Sequence, residues 1–193
     1  DDPVMDVVAG VLEVQEGDDP LPVDLWASQL VGNMAAALRP SSPWQADEDE
    51  EWGLEGPPSE EDFFGAFTEA LADRMVAPGG APVVTALHAL VPYLSGYAAD
   101  LAAEELRSAP NHPRWASQIG AARVERCVLM THETDDAEQV GLVARYPGTD
   151  RTFLAMALID VNMGGLAKDL LIADDVEAVM SMSAADGIDT RDL

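Results

Sequence analysis

The sequence predicts an α+β chain, with N-terminal helices followed by a three- to four-stranded antiparallel sheet and a closing helix. Two observations carry that reading. Apolar residues recur at helical spacing as far as Gly120, and beyond it they change to β-branched and aromatic runs of strand length. Short polar turns join those runs, which suits hairpins and hence an antiparallel meander.

The elements follow in order. Residues 3–14 place Met5, Val8 and Leu12 on one helical face, with Pro3 suited to a first turn. After the turn-rich stretch Glu16 to Pro22, Asp24 is read as the cap of a second helix to about Leu38, and Leu25, Trp26, Leu30, Met34 and Leu38 form its apolar stripe. Ser59-Glu60-Glu61-Asp62 opens a third helix with a capping-box pattern, and Phe63, Phe64, Phe67, Leu71 and Met75 supply its buried side, to about Val76. Residues 81–107 read as one long helix, bent or broken where Pro92 removes a donor, with a short helix near residues 114–120. Strands are expected over residues 124–131, 139–146 and 152–161. Lys168 to Ala173 is open between a fourth strand and a helix start, and Asp174 or Asp175 caps a last helix to about Met182.

Domain organisation is read as a helical hairpin over 1–38, an acidic flexible linker over 39–58 and an α+β domain over 59–193. The linker rests on composition: the run Asp47-Glu48-Asp49-Glu50-Glu51, bracketed by Trp44 and Trp52, repels itself and resists compaction. The chain begins without Met and is read as an excised or trimmed portion of a longer polypeptide.

Charge narrows the function. The 193 residues carry a formal net charge of −26, and residues 1–73 contribute 19 acidic side chains against one basic, Arg39. Nucleic-acid affinity comes largely from Lys and Arg displacing counterions, so direct nucleic-acid binding is not expected. A basic protein partner is, and rows of carboxylates also allow imitation of DNA toward such a partner. No stretch reaches the ~20 apolar residues of a membrane-spanning helix. The single Cys127 excludes an intrachain disulfide and multi-cysteine metal sites, so a reducing cytoplasm is the expected location and Cys127 is read as a small strand residue.

Nucleotide-loop, nucleophile-elbow and zinc-protease signatures do not occur. His88, His112 and His132 sit in three segments without metal-ligand spacing: His88 is read as a core or boundary residue, and His132 with Glu133, Asp135 and Asp136 as a solvated turn. No metal site and no cofactor are expected. Asp160-Val161-Asn162-Met163-Gly164-Gly165-Leu166-Ala167-Lys168-Asp169 is the densest polar constellation, placed after the most apolar strand. It reads first as a hairpin turn, in which Lys168 neutralises Asp160 or Asp169. Its catalytic reading is a metal-assisted hydrolytic site, with Asp160 and Asp169 as ligands, Asn162 positioning and Lys168 stabilising developing charge.

The opening Asp2-Pro3-Val4-Met5-Asp6, the acidic linker, Pro113-Arg114-Trp115 and the segment Leu158 to Asp169 together resemble an acidic protein family of high-GC Gram-positive (actinobacterial) bacteria with no known activity. Its members typically read Asp-His-Asn-Leu-Gly before a Lys-Asp pair. Asp160, Asn162, Gly164, Lys168 and Asp169 match, and Val161 stands in place of the His. The resemblance implies the same architecture and a bacterial cytoplasm.

A non-catalytic interaction or regulatory module for a basic or nucleic-acid-binding protein is thus expected ahead of an enzyme. Its contact residues are Trp44, Asp47, Glu48, Asp49, Glu50, Glu51 and Trp52, because aromatics embedded in acid suit docking into a basic groove. The hydrolase is the alternative. Nothing in the sequence indicates an oligomeric state.

Overall fold

A computed structural model describes residues 2–15, 17–39, 58–75, 80–131, 137–160, 162 and 165–193. The chain divides into two compact units, residues 1–120 and 121–193. The division falls at the change of hydrophobic period.

The first unit is helical: α1 (Pro3–Val14), α2 (Pro20–Leu38), α3 (Glu60–Met75), α4 (Ala81–Leu90) and α5 (Gly96–Ser108), with 3-10 turns at Val91–Tyr93 and Arg114–Ser117. Two Asp-Pro pairs begin α1 and α2. Asp2 accepts from the Val4 amide and Asp19 from the Leu21 amide, each at 3.1 Å, ahead of a proline whose missing N–H costs nothing in a first turn. The second helix therefore starts at Asp19, a turn before the expected cap. Pro20 and Pro22 both fit its opening, and Asp24 is left buried inside it. Ser59 caps α3 as expected, its Oγ accepting from the Asp62 amide at 3.1 Å and donating to the Asp62 carboxylate at 2.6 Å. The long helix over 81–107 is two helices. Pro92 cannot donate to the preceding turn, so the chain tightens into a 3-10 turn and restarts at Gly96, whose φ is +54°.

One core joins these five helices. Val4, Val7, Val8 and Val11 meet Val23, Ala27, Leu71, Val83, Val84, Leu87, Leu90, Ala102 and Leu106, with Trp115 and Ile119 sealed beneath them. The hairpin of 1–38 is consequently not a separate body. α1 packs on α4 as well as on α2, and α3 packs on α4 and α5. The linker expected over 39–58 lies, apart from Arg39 and Pro58, outside the described residues.

The second unit holds β1 (Arg123–Thr131), β2 (Ala137–Arg145), β3 (Thr152–Asp160), β4 (Leu166–Ala173), α6 (Val176–Ala185) and β5 (Asp189–Asp192). The sheet order is β4-β3-β2-β1-β5, with every pair antiparallel. It has five strands where three to four were expected, and a strand follows the closing helix. β5 is Asp-Thr-Arg-Asp with every side chain exposed, so it is held by main-chain pairing to β1 and has no apolar alternation to betray it. The open segment Lys168 to Ala173 belongs to β4.

Two bulges set the facing. The register of β1 against β2 jumps between Val124 and Arg126, making Glu125 the extra residue, and β4 against β3 leaves Lys168 extra between Ala167 and Asp169. The first bulge interrupts the period-two alternation of β1 at Glu125. Beyond it Val128 and Met130 turn inward with Leu154 and close over Gly141. Among the described residues, no helix is long and apolar enough to cross a membrane.

Candidate functional site

The loop between β3 and β4 is a closed turn. The Asp160 carboxylate, buried at the strand end, accepts from the Asn162 amide at 2.9 Å and pairs with the Lys168 ammonium, while the Gly165 amide reaches the Asp160 carbonyl at 3.0 Å. Gly165 has φ +83°, a value only glycine adopts freely. The bulge is what delivers Lys168 to Asp160: without the extra residue the Lys would occupy an ordinary ladder position. Asp169 is paired opposite Leu158, on the same side of the sheet as Asp160. Its carboxylate accepts from the adjacent Leu170 amide at 2.8 Å. It also lines an open hollow of about 230 Å³ with Gln139, Met156, Leu158 and Leu171. Of the four residues of the catalytic reading, Asp160 is joined to the Asn162 main-chain amide and to Lys168, and Asp169 stands within β4 opposite Leu158. Among the described residues, no group of three or more His, Cys, Asp or Glu side chains is arranged to hold a metal ion. Position 161, where the resembled family has its His, lies outside the described residues, as do Trp44, Asp47, Glu48, Asp49, Glu50, Glu51, Trp52 and His132.

A second arrangement escaped sequence reasoning. His88, in the last turn of α4, and His112, in the loop after α5, meet with Nε2 of the first 2.7 Å from Nδ1 of the second and their rings edge-on. Pro110 and Pro113 bracket His112, and Asn111 before it has φ +66°, the one positive value outside glycine among the described residues. That stiff loop fixes where His112 stands. His88 is half-buried, and its burial first and the neighbouring His112 second push its pKa down to about 4. The pair lines a hollow of about 350 Å³ with Pro113, Ala116 and Ser117. Spacing could not reveal a contact made by packing; the proline bracket was the available signal.

The first unit carries the charge. Residues 1–120 hold 22 acidic and four basic side chains. Three of the four basic groups are engaged by acids: Arg74 with Asp2 at 2.8 Å, Arg114 with Asp18 at 3.0 Å, and Arg107 with Glu104. The Arg74 guanidinium holds the Asp2 carboxyl below the usual range while Asp2 also caps α1, so one carboxylate ties the start of α1 to the end of α3. Asp62, Glu69 and Asp73 recur along the exposed side of α3, and Tyr97 of α5 donates to Glu69 at 2.9 Å.

Compared with known proteins, the chain matches no family model, no curated protein and no solved structure. The actinobacterial resemblance therefore rests on the sequence motifs alone.

Proposed function

We propose that the protein is a non-catalytic interaction module for a basic protein partner, with the acidic helical unit and the Trp44 to Trp52 segment as its contact surface. One observation carries the reading: the first unit's excess of carboxylates is left uncompensated, since three of its four basic side chains already neutralise particular acids. A field of this sign steers cationic surfaces and repels phosphate backbones. No observation favours the hydrolytic alternative at Asp160, Asn162, Lys168 and Asp169, whose turn is accounted for by its own hydrogen bonds and ion pair.

Capture from native lysate at low and high salt tests the reading. A partner should be retained at low ionic strength and released at about 1 M salt, where the screening length falls to about 3 Å. A variant with Asp47, Glu48, Asp49, Glu50 and Glu51 changed to their amides should retain less of it. Competition by DNA for that partner would add the stronger statement that the carboxylates imitate a nucleic acid. Failure to retain any basic protein at low salt defeats the proposal.

A further inference from the structure

We propose that His88 and His112 form a two-imidazole site for a tetragonal divalent transition metal, copper(II) foremost. The sequence gives each histidine a different element, and the fold brings their ring nitrogens to 2.7 Å. Two imidazoles in cis positions on a metal, each at about 2.0 to 2.1 Å, stand about 2.9 Å apart, whereas tetrahedral ligands stand about 3.3 Å apart. The observed separation is nearer the first. The 2.7 Å contact is a ring-to-ring hydrogen bond, and binding requires the exposed His112 ring to turn out of line with His88 so that both nitrogens face one ion.

Two further features suit a metal. The hollow of about 350 Å³ beside the pair leaves room for the waters that would complete the coordination, which this two-ligand set requires because no third acidic, His or Cys group joins it among the described residues. The net charge of −26 raises the local concentration of any cation. Copper(II) leads because a given nitrogen and oxygen set binds it more tightly than its neighbours in the first-row series, and because it prefers tetragonal geometry.

The test is titration of the full chain with Cu²⁺ alone, followed by calorimetry and by electron paramagnetic resonance. One equivalent should bind with micromolar affinity and show nitrogen hyperfine structure from two imidazoles. His112→Gln, in an exposed loop, should weaken binding at least tenfold and leave one nitrogen in the spectrum. His88→Gln should do the same, and if it fails to fold the His112 variant decides alone. His132→Gln is the control, because His132 stands among Glu133, Asp135 and Asp136 in the sequence. Copper that persists unchanged in His112→Gln, or that is lost in His132→Gln, overturns the proposal, as does the absence of saturable binding.

Discussion

The Asp24 carboxylate accepts a hydrogen bond from the Gly120 amide at 3.0 Å, joining residues 96 positions apart. The same oxygen takes the Tyr93 hydroxyl, so α2, the turn after α4 and the end of the first unit converge on one buried acid. Burial first, and the bond to Asp24 second, hold the Tyr93 phenol far above its ordinary range. Gly120 is constrained as well: its φ is +67°, and a Cβ there would stand 2.8 Å from Pro92.

Removing the acid should be expensive. Asp24→Ala strands the Gly120 amide and leaves the Tyr93 hydroxyl only its longer bond to the main-chain carbonyl of residue 24 at 3.3 Å, and a buried group left unpaired costs about 1 to 3 kcal/mol. A loss of about 2 to 4 kcal/mol in the urea unfolding of the helical signal is expected. Asp24→Asn keeps an acceptor oxygen and should lose less, and Tyr93→Phe should lose about 1 kcal/mol. Equal losses for Ala and Asn would show that the oxygen is not what matters.

Acid should weaken the helical unit through His88. Its folded pKa of about 4 lies below the ordinary imidazole value of 6.5, so the unfolded chain binds more protons between those limits. Stability contributed by the neutral ring is present above pH 6.5 and is lost as pH falls toward 4. His88→Gln has no proton to take up, so its unfolding midpoint should fall less over that window. Parallel curves for the two proteins would contradict the assignment.

The sequence made most of this fold legible because its elements announce themselves locally. Ser59, Pro3 in the first turn of α1, and the Asp174-Asp175 pair ahead of α6, of which Asp175 is the cap, are start signals whose chemistry needs no knowledge of the rest of the chain. The break at Pro92 was likewise visible, though not that Val91 to Ser95 would separate two helices. What stayed hidden depends on partners distant in sequence. β5 exists through main-chain pairing with β1, and the bulge at Lys168 exists through its register against β3. Of the candidate site, the residues of the Asp160 turn were legible from their spacing, and the pairing of Lys168 with Asp160 was one of the two alternatives the sequence left open. The contact of His88 with His112 was not, because helix packing creates it.

Packing at the centre of the sheet should refuse a methyl group. A Cβ on Gly141 would lie 2.7 Å from Val128 Cγ2, 3.0 Å from Leu154 Cδ1 and 3.1 Å from Met130 Cε. Met130 can withdraw, being flexible, but Val128 is stiff and fully buried. Gly141→Ala should therefore cost the second unit about 1 to 3 kcal/mol, the usual range for overpacking. Gly148→Ala meets no neighbour within 4 Å and is penalised by its φ of +75° alone. It should cost about 1 kcal/mol or less. Denaturation of the two variants side by side separates crowding from backbone strain.

The turn at Asp160 makes a sharper prediction about coupling. The Asp160 side chain is 12% exposed and that of its partner Lys168 is 51% exposed, so the carboxylate depends on the pair more than the ammonium does. Lys168→Met takes the ammonium from Asp160 while keeping the bond from the Asn162 amide, and should cost about 1 to 2 kcal/mol after allowance for water reaching the pair. Adding Asp160→Asn to that variant should recover part of the loss, because a neutral amide in the same place no longer needs the cation. Asp169→Asn should stay within about 0.5 kcal/mol, since its carboxylate is exposed and bonded to the adjacent amide. A double-mutant cycle on Asp160 and Lys168 reads the interaction directly, and should give a coupling of about 1 kcal/mol that shrinks little with salt. Zero coupling would mean that the turn holds without the ion pair, and that the bulge delivering Lys168 serves something other than its closure.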